Sequence, residues 1–409
     1  MRLRSLMTVL LLACTLIVRA QTGTLRLAYS VEGSVVDVET GRSIESALVS
    51  IPGTTAATVT NSDGRFVIKS AEPITRVSVS FLGYKTALCE VAPPNPLTVY
   101  LKPESLTIEG ATIISGDPLE IVRAAIRKIP SNYSDHPELL ECFYRETVRK
   151  RSRYTYISEA VARMYKTSYG NGVGQDRTAL EKSRVLLSQK RSDTLSVKVQ
   201  GGPAQAAFLD VVKNRELLFG YEELQRYSFV MANPEYIDGR RQFVIKFGPG
   251  PGIYDFALYF GTLYIDTERL AFTRIEMSLD MSDPGKATER IVVRKPFSLR
   301  LTPKEMSIVM NYSYDGEISR LSYFRSTFRF NCDWKKKLFA TSYVAINELV
   351  VTDIRPEAVP IGRSEMFRTS DIMSDKAAEF LDRDFWADYN IIEPSQSLEH
   401  AVNRLRKGR

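Results

Sequence analysis

The sequence predicts a mainly β protein: a small β-sandwich, then an α+β unit in which a curved antiparallel sheet, a half-barrel, packs against helices. Three observations carry this. Between Val31 and Lys102, β-branched runs alternate with Gly, Asp, Asn and Pro at intervals of roughly eight to twelve residues, the rhythm of a sandwich. Beyond residue 136, longer runs alternate apolar and polar side chains, as a sheet with one covered face requires. Between them, "DPLEIVRAAIRKIP" switches to helical spacing.

Residues 1–20 read as a signal peptide. Arg2 and Arg4 form a positive start, Leu6 to Val18 an apolar stretch, and Val18-Arg19-Ala20 a cleavage site before Gln21. Leu11-Leu12-Ala13-Cys14 offers a competing lipoprotein box, but the apolar run continues past Cys14 to Val18, which favours the later site. No later segment reaches the ~18 apolar residues of a membrane-spanning helix. Loss of Arg2, Arg4 and Arg19, with no acid, takes the net charge from +7 to +4. That mild excess, and basic clusters at 149–153 and 404–409 without interleaved aromatics, exclude nucleic acid as the expected partner. Cys89, Cys142 and Cys332 remain, odd in number and far apart, and are expected to be buried free thiols.

Within the first unit, "VTNSDGRFVI" places a polar turn between two apolar runs. Asp63-Gly64 is expected to form a hairpin, with Gly64 at positive φ folding Ala57–Thr60 back on Phe66–Lys69. Phe66 and Ile68 share the buried face by the two-residue period. A calcium loop fails, because Ser70 stands where an EF-hand-type loop needs its glutamate.

The frame G-x-V-V-D-x-x-T-G-x-x-I-x-x-A-x-V from Gly33 to Val49, "TNSDGRF" from Thr60 to Phe66 and "VSFLGYKT" from Val79 to Thr86 resemble the carboxypeptidase regulatory-like domain. The resemblance implies a seven-stranded, prealbumin-like sandwich over residues 21–102. It also implies a non-catalytic module of exported Gram-negative proteins, located in the periplasm or at the outer membrane, with an envelope protein or lipid as partner and peripheral membrane association. No peptidase chemistry accompanies it. The chain has two histidines, His136 and His400; neither heads an HxxE pair, since Leu139 and Asn403 stand three residues on. HExxH and GxSxG are also absent from the sequence, so no catalytic residue, metal or cofactor is expected. "GPGPG" at 248–252 and "YGNGVG" at 169–174 lack the flanking strand and helix of phosphate or dinucleotide loops and read as turns.

Residues 103–135 form a linker and helix. Asp117 is the N-cap, Pro118 sits at N1, Glu120 at N3, and Val122, Ile126 and Ile129 face one way until Pro130. Residues 136–365 form the curved β domain, with strands expected at 140–150, 154–166, 227–232, 241–247, 256–265, 270–279, 321–331 and 338–351. Residues 170–225 read as looser, with a helix near Gln205–Asn214. The remainder, 366–409, reads as a helical tail.

In "DFALYFGTLYIDTERLAFTRIEMSLD", Phe256, Leu258 and Phe260 share one face, and the apolar parity then shifts to Leu263 and Ile265, suggesting a bulge at Gly261. On the return strand Ala271, Ile275, Met277 and Leu279 point inward. This rhythm resembles the strand pairs of lipoprotein-carrier (LolA/LolB-like) half-barrels, which implies a sheet wrapping helices and able to hold acyl chains. Phe256, Leu258, Phe260, Ile275, Met277 and Leu279 are therefore the expected apolar ligand face, to be covered by the chain's own helices, by a ligand, or by both.

A transmembrane β-barrel is the structural rival. Interrupting helices, a charged helical end and charges at Arg274, Glu276, Arg325 and Arg329 argue against it. The 307 residues after Lys102 are too few for a plugged barrel of about 22 strands. Two functions stay open: a non-catalytic envelope protein with a binding or assembly role, and a carboxylate-dependent hydrolase of envelope glycans, which needs paired acids at no fixed sequence spacing.

Overall fold

The computed structural model describes residues 29–92, 96–104, 116–188, 201–291, 299–334, 340–376, 386 and 389–407. The signal peptide expected at 1–20 lies outside them.

The first unit holds β1 (Tyr29–Asp37), β2 (Leu48–Ser50), β3 (Ala57–Val59), β4 (Arg65–Ser70), β5 (Arg76–Ser80), β6 (Ala87–Glu90) and β7 (Leu97–Leu101). They form two facing sheets, β4-β1-β7 and β3-β2-β5-β6, so the seven-stranded sandwich is present. Val35, Val49, Phe66, Ile68, Val77, Val79 and Leu101 fill the space between the sheets. Each large side chain buried there contributes roughly 1.5–3 kcal/mol.

The expected hairpin at Gly64 is not one. β3 pairs with β2 and β4 with β1, so the turn carries the chain from one sheet to the other. Local chemistry explains the turn: Asn61 Oδ1 accepts the backbone N–H of Asp63 and Arg65, both at 2.9 Å. Gly64 does hold φ +73, and a Cβ there would stand 2.7 Å from the Val35 carbonyl oxygen.

Helix α1 (Pro118–Asn132) starts as expected, with Asp117 Oδ1 accepting from Leu119 N at 3.0 Å, but runs through Pro130. An interior proline costs about 3 kcal/mol. Here its ring is exposed, while the preceding Ile129 is fully buried. Beyond it, Asn132 Nδ2 donates to Arg269 O and Tyr133 Oη to Phe272 O, at 2.9 and 2.6 Å, and hold the last turn down.

The second unit contains β8 (Glu138–Lys150), β9 (Arg153–Lys166), β10 (Arg177–Leu187), α2 (Gly202–Leu209), α3 (Tyr221–Leu224), β11 (Tyr227–Met231), β12 (Glu235–Ile237), β13 (Arg240–Pro249), β14 (Tyr259–Asp266), β15 (Phe272–Leu279), α4 (Pro284–Ile291), β16 (Leu299–Tyr314), β17 (Ser319–Trp334), β18 (Thr341–Arg355) and β19 (Met366–Phe367). They make one open, twelve-stranded antiparallel sheet in the order β11-β13-β14-β15-β16-β17-β18-β8-β9-β10-β19, with β12 beside β13. A single core unites Leu140 and Met164 of β8 and β9 with Tyr227 of β11 across the same face. α1 touches β11, whereas α2 touches β8, β9, β10 and β18, so the sheet curls around both helices.

Several expectations need correction. β10 was hidden by its charged "EKSR" stretch and a register break at Leu180/Lys182. β16 was hidden by Pro303, which sits at another break. The helix expected at 205–214 occupies Gly202–Leu209 and stops where Asp210 turns inward. Gly261 makes no bulge: the register break lies at Tyr264/Ile265. The glycine is there because a Cβ would meet the Glu276 carbonyl oxygen at 1.9 Å.

The tail expected to be helical contains β19, the single turn α5 (Met373–Lys376), non-helical backbone at residues 389–395 and helix α6 (Gln396–Lys407). Ile391 and Ile392 lie between the sandwich and the convex face of the sheet, packed with Val59, Phe143 and Val350. Thr58 Oγ1 donates to Ile391 O at 2.8 Å, and Asp63 Oδ2 accepts the Gln396 N–H at 2.7 Å. Leu398, Ala401 and Leu405 of α6 pack on Ile157 and Leu186. Among the described residues, no helix is long and apolar enough to cross a membrane.

Candidate functional site

The concave face is largely filled by the chain itself. Ile275, Met277 and Leu279 lie in its core, Met277 with 2% exposure, and none of them lines a described cleft. Leu258 is buried with them. Phe256 and Phe260 are not: they are 36% and 47% exposed. The reason is where the strand starts. β14 begins at Tyr259 and buries its odd positions Tyr259, Leu263 and Ile265, so Phe260 points outward and Phe256 belongs to the preceding loop.

That loop builds the open space. A cleft of about 310 Å³ lies at the mouth of the half-barrel, between the 249–258 loop and the start of α4. Pro249, Gly250 and Gly252 of "GPGPG" line it: Pro249 ends β13 opposite Tyr227, and Pro251 just beyond carries no N–H for a further ladder bond. Gly250 N donates to Arg226 O at 2.7 Å, tying the loop back to the chain before β11. Ile253, Tyr254, Phe256, Ala257 and Leu258 give the cleft an apolar side, and Ile253 is 97% exposed.

The polar side is fixed by backbone bonds. Lys286 Nζ donates to Tyr254 O at 2.6 Å, closing α4 onto the loop. Asp283 Oδ1 accepts the N–H of Gly285 and Lys286, and Asp280 Oδ1 that of Ser282, so each carboxylate serves a local turn. Arg226 and Arg290 lie 5.3 and 5.8 Å from the centroid of the Phe256 ring.

Buried ionisable groups occur elsewhere, beyond the reach of the sequence reading. Asp210 pairs with Lys166 at 2.6 Å and accepts hydrogen bonds from Tyr169 and Tyr312. Burial alone would raise its carboxyl; the Lys166 ammonium and these donors hold it below the ordinary range. Lys213 donates to Asp176 and Thr167 beside it. Nothing in sequence links these residues, because their spacing reflects only the sheet's return path. Glu146, on the concave face, is pushed up to about 7 by burial, against the pull of the Tyr144 hydroxyl at 3.0 Å.

Among the described residues, no group of three His, Cys, Asp or Glu side chains could hold a metal ion. His136 and His400 are exposed, and Cys142 and Cys332 are buried free thiols while Cys89 is half-buried.

No curated protein matches the chain. Solved structures similar to it include a domain described as an outer membrane lipoprotein-sorting protein from Vibrio parahaemolyticus, at 12% identity and TM-score 0.27 over 58% of this chain and 91% of that one. A DUF1329 family protein from Desulfovibrio piger follows at 10% and 0.24, over 61% and 97%. A LolA superfamily protein from Nitrosomonas europaea stands at 11% and 0.20, over 61% and 100%. At such scores the fold rests on its own strand pairings. In sequence, residues 31–113 match the CarboxypepD_reg-like domain, as the frame from Gly33 to Thr86 implies.

Proposed function

We propose that this chain is a non-catalytic binding protein of the cell envelope, exported by its N-terminal segment, whose mouth cleft takes the apolar end of an envelope lipid. One observation carries the reading. The concave face is packed shut around Met277, yet Ile253 and Phe256 remain exposed on the apolar side of the mouth cleft. Its volume of about 310 Å³ stands at the low end of ligand pockets, roughly 300–1,000 Å³. Apolar side chains left facing water on a folded surface favour an occupant that covers them. The sandwich serves as a docking module, fixed to the convex face away from the cleft.

The hydrolase reading is the weaker one. A glycosidase needs two carboxyl groups free to face the substrate, and Asp280 and Asp283 of this cleft are engaged with turn and helix-start N–H groups.

The test is titration with a fluorescent fatty acid. Saturable uptake is expected, weakened at least about tenfold in the Ile253→Asp/Phe256→Asp double variant, whose side chains are exposed and so leave folding intact. No uptake by the wild type, or equal uptake by the variant, refutes the proposal.

A further inference from the structure

A second cleft, of about 220 Å³, opens where the sandwich, the convex face of the large sheet and the start of α6 meet. It has no part in lipid binding at the mouth, and its walls are mostly polar. Asn61 of the "TNSDG" turn lines it at 5% exposure. The orientation of its amide is settled, because Oδ1 accepts two backbone N–H groups; Nδ2 therefore faces the other way, and it has no hydrogen-bond partner. A buried donor left in that state costs about 1–3 kcal/mol. Arg149, on the β8 wall, presents a buried Nε that also lacks a partner, with its guanidinium over the Tyr154 ring.

The other charges of the cleft are already matched. Arg145 donates to Glu159 at 2.7 Å and to Ile392 O at 2.7 Å. Arg325 holds Glu45 at 2.6 Å, with Glu348 at 3.8 Å. The unmatched donors, Asn61 Nδ2 and Arg149 Nε, thus call for an acceptor that the described residues do not supply. The start of α6 faces the same space: Ser395 Oγ accepts from Leu398 N at 3.3 Å and meets Ser397 Oγ at 3.1 Å. The helix start already has its negative partner, the Asp63 carboxylate, whose Oδ2 accepts the Gln396 N–H at 2.7 Å, so it adds no donor to the two unmatched ones.

We propose that this cleft binds a small oxyanion of phosphate type, held by Asn61 and Arg149, and that its occupant ties the sandwich to the sheet. Glu45 and Glu348 are engaged with Arg325, and two unmatched donors suit a single phosphate group, either free or on a headgroup. The polar turn of the sandwich then has two tasks: changing sheets and presenting an anion-binding amide.

The full chain is titrated with inorganic phosphate at constant ionic strength, with chloride as control. A calorimetric binding signal and a rise in Tm above the chloride control are expected. Asn61→Asp keeps the Oδ1 acceptor for Asp63 and Arg65 but replaces the donor with a negative oxygen, and should abolish both signals. Arg149→Met should weaken binding at least about tenfold. Vesicles carrying phosphatidic acid, compared with phosphatidylcholine alone, separate the sources: binding that phosphate competes away points to a headgroup, and phosphate binding without vesicle binding points to the free ion. Absence of any phosphate effect on the wild type, or unchanged binding in folded Asn61→Asp and Arg149→Met, overturns the proposal.

Discussion

The guanidinium of Arg226 lies 5.3 Å from the centroid of the Phe256 ring, at the rim of the half-barrel's open cleft. A cation–π contact at such a partly exposed site is worth about 0.5–1 kcal/mol. Phe256→Ala should therefore lower stability by no more than about 1–2 kcal/mol in urea denaturation while weakening uptake of an apolar probe. A loss above about 3 kcal/mol would show that the ring belongs to the core instead.

Gly64 combines φ +73 with a Cβ position 2.7 Å from a carbonyl oxygen. Gly64→Val adds backbone strain of about 1–3 kcal/mol and a steric clash. The midpoint of chemical unfolding should fall accordingly, and Asp63→Ala should cost less. A chelator should leave the Tm unchanged; a marked drop would mean that the turn binds a metal.

Asp210 and Lys166 are a fully buried pair with two tyrosine hydroxyls as further donors to the acid. Removing one partner strands the other charge, at about 3–5 kcal/mol. Asp210→Asn should lose that much in equilibrium denaturation, whereas an effect under about 1 kcal/mol would show that Asp176 or solvent takes over as the partner of Lys166.

Glu146 has a folded-state pKa raised by burial from 4.5 to about 7. Its protonated form therefore favours the fold: the contribution is whole below about pH 4.5 and is lost as pH rises through 7. Glu146→Gln should match the wild type at pH 5 and exceed its stability at pH 8 by roughly 1–3 kcal/mol, measured by paired urea titrations. Equal stability of the two proteins at pH 8 would place the carboxylate in a solvated setting.

Much of this architecture follows from local pattern. Phe66 and Ile68, or Ile275, Met277 and Leu279, announce their buried faces by a period of two, and Asp117-Pro118 announces the start of a helix. Features decided at long range do not show. Whether Gly64 closes a hairpin or a crossing between sheets depends on β1, some thirty residues earlier, competing for β4. Phe256 and Phe260 continue the alternation of a strand that begins only at Tyr259, so their apolar character misled the parity. Lys166, Asp210 and Lys213 look like surface charges in sequence, and only the curl of the sheet buries them together. Of the apolar face expected from sequence, Leu258 and Phe256 line the cleft, while the remaining members lie in the packed core or point away from it.

The central claim is that apolar ligands enter at the mouth and not the packed interior. Photo-crosslinking with a diazirine-bearing fatty acid, followed by peptide mass spectrometry, tests it most directly. Labelling should concentrate on residues 249–258 and the start of α4, and excess unlabelled fatty acid should suppress it. Labelling centred on Ile275 and Met277, or spread without saturation over the surface, would contradict the account.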